Sequence, residues 1–208
     1  MEATNFSLHS GKLYQASKSM KSVLDVIQTP CTHLDETSIK IFPAIKKELI
    51  DQKLKLTNKL KNKWSSTVFM EKKEDSKTKT ESFKLVFNVN GEQAHEDFKD
   101  LAQALNSTGI LEDVLQPFVK TLKTDFLENI ITGRGMVEVT KDSVLVSISK
   151  SGEVCGVNAI DVMQNLMHFF AFLFKHCNVT LSLEEPQVLL QEMIGSKLAN
   201  WFCNALIK

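Results

Sequence analysis

The sequence predicts a mainly α-helical protein, an elongated antiparallel helical bundle with a small antiparallel β-sheet. Several long stretches carry apolar residues at steps of three, four or seven, which is the spacing of one helix face. Two shorter regions alternate apolar and polar residues, as half-buried strands do. Hydrophobic residues make up 43% of the 208 residues and charged residues 24%, which is too apolar for a disordered chain.

Two helices are predicted in the N-terminal third of the chain. The first is expected over residues 8–27 and ends before Pro30, which breaks a helix. The second is expected to begin near Ser38–Phe42 and to end near Trp64. Pro43 requires a start close by, since a proline in the first turn removes a backbone donor that is unpaired anyway. The apolar residues that share one side of this helix are Phe42, Ile45, Leu49, Leu56, Leu60 and Trp64.

A change to a period of two predicts the first strands. Phe83–Val89 alternates apolar and polar side chains, and Thr67–Met70 is the candidate partner strand. The run Glu71–Thr80 between them is rich in Lys, Asp, Ser and Thr, and we expect it to be an exposed link.

The middle of the chain predicts two helices and a second hairpin. The helices are expected over Glu92–Asn106 and Leu111–Ile131, separated by a Ser-Thr-Gly break. Met136–Thr140 and Val144–Ser149 alternate around a Lys-Asp-Ser turn, which indicates a β-hairpin. We expect the strand pieces near 67–89 and 136–149 to form one sheet, because unpaired strand edges need covering.

The last two helices are the most apolar. Asn158 with Asp161 three residues later predicts a helix N-terminus. We expect the helix that follows to be nearly surrounded by protein and its phenylalanines to fill the core rather than a ligand pocket. Its apolar residues are Ile160, Met163, Leu166, Met167, Phe170 and Phe174. Leu49, Leu56, Leu166 and Phe170 are specifically expected in the core.

The final helix is expected to begin around Ser182–Pro186 and to carry an apolar stripe from Leu190 to Ala205. No helix-stopping residue follows Ile207-Lys208. The sequence therefore predicts that residues 1–208 form a single helical-rod domain, cut from a longer chain.

Composition and motifs exclude several classes of function. The 25 basic and 25 acidic residues cancel, which argues against direct nucleic-acid binding. The four cysteines form no C-x-x-C pair and are expected to be reduced and mostly buried, as in a cytoplasmic protein. The N-terminus has no secretory signal, and the apolar run 166–174 is shorter than the ~20 residues that span a bilayer.

We predict no enzyme and no catalytic, cofactor or metal site. Gly133-Arg134-Gly135 lies between a helix and a strand and lacks a third glycine, so it is expected to be a turn rather than a dinucleotide loop. His168 has no histidine or acid at i+3 or i+4 and is expected to be a buried, hydrogen-bonded imidazole. The adjacent His176 and Cys177 point in different directions on a helix and do not form a ligand pair.

Local charge suggests a surface that contacts a partner. Residues 40–63 contain eight lysines and two acids, which leaves an excess of six positive charges. Lys40, Lys47 and Lys55 share one side of the helix and are predicted to face solvent as candidate partner-binding residues. The segment 92–113 contains six acids and one lysine. If this acidic segment packs beside the lysines, the charges are internal complements, and otherwise the lysine face is open to an acidic partner.

Two stretches carry a family resemblance. Ile39-Lys40-Ile41-Phe42, continuing through Glu48-Leu49 and Gln52-Lys53 to Trp64, resembles the middle of zeste-white ten proteins. Gln191-Glu192-Met193-Ile194-Gly195, continuing to Ala205-Leu206-Ile207-Lys208, resembles a later segment of the same proteins. Both stretches are helix-packing patterns and neither is a functional motif.

The resemblance implies a subunit of the Rod–Zwilch–zeste-white ten complex. Such a subunit is a rod of stacked helical bundles, a scaffold that acts in the spindle checkpoint and dynein recruitment at the kinetochore in mitosis. The family also serves vesicle tethering in Golgi-to-ER transport, on the cytosolic face of the endoplasmic reticulum. The implied partners are Rod-like and Zwilch-like subunits linked to dynein and dynactin, with membranes contacted only through partners.

Two alternatives stay open from the sequence. One is a subunit of another helical-rod tethering complex, of the exocyst or Golgi-complex type. The other is a ligand-binding or enzymatic helical domain that uses the phenylalanine-rich helix, which converging titratable groups in a pocket would favour.

Overall fold

A computed structural model describes residues 12–28, 36–76, 79–149, 158–181 and 187–206, with side chains for 12–27, 42–76, 79–148, 158–181 and 187–203. The helices are α1 (Leu13–Gln28), α2 (Glu36–Thr67), α3 (Glu92–Ser107), α4 (Leu111–Thr121), α5 (Glu128–Ile131), α6 (Ala159–Cys177) and α7 (Leu190–Leu206), with a π-helical segment, Leu122–Leu127, between α4 and α5. The strands are β1 (Val68–Asp75), β2 (Thr80–Phe87), β3 (Gly135–Val139) and β4 (Ser143–Ser149). The fold is mainly helical with a small antiparallel sheet, as predicted.

The four strands form one antiparallel sheet in the order β1-β2-β4-β3. Both predicted hairpins and their union into one sheet are therefore confirmed, with Phe83 of β2 opposite Val146 of β4. The predicted link Glu71–Thr80 is wrong over its first five residues and at Thr80, because β1 continues to Asp75 and β2 begins at Thr80. Backbone pairing with β2 extends the strand there without any apolar side chain.

Helix α2 begins earlier than predicted, and its stripe is buried in part. The helix starts at Glu36, so the expected first-turn position of Pro43 is wrong. The proline removes one backbone hydrogen bond and the helix continues through it. Ile45, predicted on the apolar side, is exposed. The later members of the stripe, Leu49, Leu56, Leu60 and Trp64, are buried.

Helices α3 to α5 follow the predicted spans closely. The break between α3 and α4 contains Gly109, whose φ of 75° favours glycine. The predicted turn at Gly133-Arg134-Gly135 is confirmed, since Gly133 has a φ of 69° and Gly135 begins β3. Gly135 also allows close packing, because an added Cβ would lie 2.7 Å from Cγ1 of Val146.

Phe87 joins the sheet to the helices at the centre of the core. Its fully buried ring makes edge contacts with Phe98 of α3, Phe118 of α4 and Phe172 of α6, at centroid distances of 6.2, 6.5 and 5.9 Å. The ring of His176 stacks on the same phenylalanine at 5.0 Å. One side chain thus holds four separate elements in register.

Helix α6 begins as predicted and α7 does not. Asn158 Oδ1 accepts from the Asp161 amide at 2.9 Å, and the Asp161 carboxylate accepts from the Asn158 amide at 3.3 Å, which is a capping box. α7 begins at Leu190, later than the predicted start at 182–186, of which nothing lies within the described residues. An isolated β-bridge pairs Thr180 with Leu189, the residue directly before α7.

Candidate functional site

The N-terminal half of α6 carries an exposed apolar surface, which we call the α6 face. Ile160, Met163 and Met167 are 65%, 58% and 66% exposed and lie at spacings of three and four on one side of the helix. The prediction that this helix is nearly surrounded by protein is therefore wrong. The side that packs on the sheet and on the neighbouring helices carries Leu166, Phe169, Phe172, Leu173 and Cys177, which are buried.

The partial cover comes from the way α7 packs on α6. Gly195 lies beside the Phe174 ring, and seven residues later Phe202 lies 6.4 Å from the Phe170 ring, so the two helices run antiparallel. Phe170, predicted in the core, is for this reason only partly buried, at the point where the cover by described α7 side chains ends. The α6 face lies further toward the N-terminal end of α6, where α7 has no described side chain beyond Cys203.

A groove of about 720 Å³ adjoins the α6 face. It is lined by Ile131 of α5, Phe202 of α7 and the α6 residues Val162, Met163, Leu166, Met167 and Phe170. Its lining is almost wholly apolar and contains no titratable side chain. The groove therefore suits an apolar occupant and offers no acid–base chemistry.

The α6 face is held on a fixed helix. The capping box satisfies backbone amides at the first turn of α6, which opposes fraying at this end. One turn further on, the Asn165 side-chain amide donates to the Gly135 carbonyl oxygen at 3.4 Å, which ties α6 to β3. The apolar side chains are thus presented by a positioned helix.

Three of the histidines considered in the sequence analysis, His95, His168 and His176, lie within the described residues. His95 is exposed, and His168 is also exposed rather than buried as predicted, since it points away from the sheet. His176 donates through Nε2 to the Lys141 carbonyl oxygen at 3.1 Å, and burial lowers the pKa of its ring. Within the described ranges, no group of three or more His, Cys, Asp and Glu side chains is arranged to hold a metal ion.

The described cysteines are unpaired thiols. Cys177 is buried, as predicted, and burial raises the pKa of its thiol. Cys203 is exposed on α7, against the expectation of burial. His9, His33, Cys31 and Cys155 lie outside the described residues.

The acidic segment lies beside only part of the lysine-rich helix. Asp113 pairs with Lys61 near the C-terminal end of α2 at 3.4 Å. Glu112 instead pairs with Lys197 of α7 at 2.5 Å. Asp100 accepts from the first two amides of α1, and burial raises the pKa of its carboxyl. These three acids thus contact the C-terminal part of α2, α7 and α1, respectively.

The predicted partner-binding lysines stay a prediction. Lys47 and Lys55 are exposed, and the Lys40 side chain lies outside the described side chains. Among the described residues, neither Lys47 nor Lys55 forms an ion pair. Sequence reasoning selected these lysines by charge and passed over the α6 face. A count of the apolar residues around α6 would have found more of them than a single packed side of the helix can bury.

Comparison with protein families and with curated proteins gives no match. No family model matches the chain, and none of the curated proteins matches it. In the part of the chain that the structure describes, no helix is both long enough and apolar enough to cross a membrane. The site therefore has to be interpreted from its own geometry, as an apolar helix face beside an apolar groove.

Proposed function

We propose that this chain is a non-catalytic scaffold segment that works through protein–protein contacts. The observation that supports this is the α6 face, where three large apolar side chains are each more than half exposed on two turns of a capped helix. Contiguous exposed apolar surface of this kind is typical of interaction sites. A helix of a partner subunit is the proposed occupant, because an amphipathic helix can lay its apolar side along an exposed apolar helix face and the groove beside it.

The assembly we propose is the one that the family resemblance implies. The chain would be a segment of an elongated antiparallel helical rod, and α2 supports this shape, since 32 helical residues span about 48 Å. Its partners would be Rod-like and Zwilch-like subunits linked to dynein and dynactin, at the kinetochore in mitosis. In Golgi-to-ER transport it would act in a tethering complex in the cytoplasm, at the face of the endoplasmic reticulum, and would reach the membrane through partners.

Binding to purified Rod-like and Zwilch-like subunits tests both parts of the proposal. The double substitution Met163→Glu with Met167→Glu places two charges in the contact and should weaken binding by at least roughly tenfold, because buried unpaired charges are costly. Val26→Glu is the matched control, since Val26 is equally exposed but lies on α1. Equal binding by the parent chain, the double variant and the Val26→Glu control would remove the α6 face from the proposal.

The same experiment separates the choice of assembly from the choice of surface. Failure of the parent chain to bind Rod-like and Zwilch-like subunits would reject that assembly. Binding to a subunit of the exocyst or Golgi-complex type would then support the alternative tethering complex. Loss of that binding in the Met163→Glu, Met167→Glu variant would keep the α6 face as the contact.

The size of the α6 groove favours one second candidate, a site for a small apolar ligand. A volume of about 720 Å³ lies within the range of small-molecule sites, and the lining is apolar. Titration with an apolar naphthalene-sulfonate dye tests it. Saturable binding of one dye molecule per chain, lost on Phe170→Glu but kept on Val26→Glu, would favour a ligand site over a scaffold contact.

A further inference from the structure

The middle of α2 presents a second exposed apolar surface, on the side of the helix away from the packed core. Ile50 and Leu54 are 53% and 59% exposed and lie one turn apart on the same side of α2. The buried residues Leu49 and Leu56 lie on roughly the opposite side. Ile50 and Leu54 therefore remain exposed on the side of α2 that does not pack on the core.

Lysines border this apolar pair on both sides. Lys46 and Lys53 are spaced by seven residues and follow one border, while Lys47 lies on the other. All three are exposed, and none of them forms an ion pair among the described residues. We call Lys46, Lys47, Ile50, Lys53 and Leu54 the α2 face.

The acids near the α2 face do not cancel its charge. Glu48 accepts from the Gln52 side-chain amide at 2.8 Å, on the side of α2 away from Lys46 and Lys53. Asp51 borders the face next to Lys47 and offsets one lysine. Acids of the segment 92–113 pair with groups further along α2 and on other helices. The α2 face thus keeps an uncompensated positive charge around an apolar centre.

We propose that the α2 face docks an acidic amphipathic helix of a partner protein. Leucine-like side chains at i and i+4 of that helix would cover Ile50 and Leu54, and its flanking carboxylates would pair with Lys46, Lys47 and Lys53. Residues 42–59, the part of α2 ahead of Leu60 whose side chains are described, span roughly 27 Å, which accommodates about five turns of a partner helix. This site is separate from the α6 face, so its failure leaves the proposed function untouched.

Charge and width argue against the other occupants. A second copy of the chain would bring lysines against lysines, which repel. A membrane-surface helix needs a broad apolar face, whereas this one has two apolar side chains with Asp51 at its border. An acidic helix alone satisfies both the charge and the narrow apolar strip.

The test is binding of the full chain to two fluorescein-labelled helical peptides. Both have leucines at i and i+4, flanked by glutamates in one peptide and by lysines in the other. The glutamate peptide should bind at low salt and weaken as salt rises, with no measurable binding of the lysine peptide. The triple variant Lys46→Glu, Lys47→Glu, Lys53→Glu should lose at least roughly tenfold in affinity for the glutamate peptide and gain binding of the lysine peptide.

Matched variants establish where the peptide binds. Reversal of three exposed lysines elsewhere, Lys120, Lys141 and Lys175, should leave the affinity within about twofold. The double variant Ile50→Ser, Leu54→Ser should weaken binding at high salt as well, since it removes the apolar contact. Unaltered melting temperatures would show that the variants are folded.

Four results would overturn the proposal. The first is no binding of the glutamate peptide, and the second is an equal loss of affinity for it in the two lysine-reversal variants. The third is binding to phosphatidylserine vesicles through Lys46, Lys47 and Lys53 without peptide binding. The fourth is a dimer in sedimentation that the Ile50→Ser, Leu54→Ser variant abolishes. The third result would assign the face to a lipid surface, and the fourth to a second copy.

Discussion

Truncating Phe87 to Ala tests the packing that connects the sheet to the helices. The ring is fully buried and contacts aromatic rings from α3, α4 and α6. Removing it forfeits the transfer free energy of a phenyl group and leaves a cavity that its packed neighbours on three helices cannot fill. We expect the free energy of unfolding to fall by about 3–5 kcal/mol.

The corresponding change in melting temperature is large enough to measure simply. For a chain of this size, about 1 kcal/mol shifts the melting temperature by about 2–4 °C, so Phe87→Ala should melt about 6–20 °C below the parent. Chemical denaturation followed by far-ultraviolet circular dichroism gives the free energy directly. Met167→Ala is the control and should stay within about 0.5 kcal/mol, because its side chain is exposed. Equal stability of the two variants would refute the assigned core.

Three further predictions concern local features. Gly195→Ala should raise the free energy of unfolding by about 0.5–1 kcal/mol, because the added Cβ has room and alanine favours the helix. Gly135→Ala should lower it by about 1–3 kcal/mol, because the added Cβ would clash with Val146. Urea denaturation of both variants measures this, and a more stable Gly135→Ala than Gly195→Ala variant would contradict it. Burial lowers the pKa of His176 below its ordinary 6.5, so the neutral ring is favoured in the folded chain and stability should be lost as the pH falls below about 6.5. His176→Gln should lose less stability in thermal melts over the same pH range, and an equal loss in parent and variant would contradict this assignment. Asp100→Ala removes the acceptor for two amides of α1 and should lower the free energy of unfolding by about 1 kcal/mol, with faster hydrogen exchange in α1 and unchanged exchange in α7.

The strands and helix caps could be predicted from the sequence because their signals are local. Alternation of apolar side chains predicted β2, β3 and β4, and the pairing of the two hairpins followed from the need to cover strand edges. Asn158 and Asp161 predicted the start of α6 because both partners of a capping box lie within one turn. The polar second half of β1 was missed, since its backbone pairing leaves no mark on side-chain polarity.

The candidate site depended on tertiary packing and could not be predicted. Apolar residues surround much of α6, and the sequence alone does not say how far α7 reaches along it. α7 begins directly after the β-bridge between Thr180 and Leu189, and this start determines that Phe202 lies beside Phe170 of α6. The exposure of Met163 and Met167 is therefore a consequence of the register between two helices.

The central claim, that the α6 face is a contact surface in an assembly, is tested most directly by hydroxyl-radical footprinting of the methionines. The parent chain is labelled alone and in complex with the Rod-like and Zwilch-like subunits, and oxidation is quantified by mass spectrometry. Met136 of β3 is the internal control, because it is as exposed as Met163 and Met167 but lies on a different element. We predict that oxidation of Met163 and Met167 falls at least roughly fivefold in the complex while that of Met136 is unchanged. Equal oxidation of Met163 and Met167 in the free and bound chain would contradict the claim.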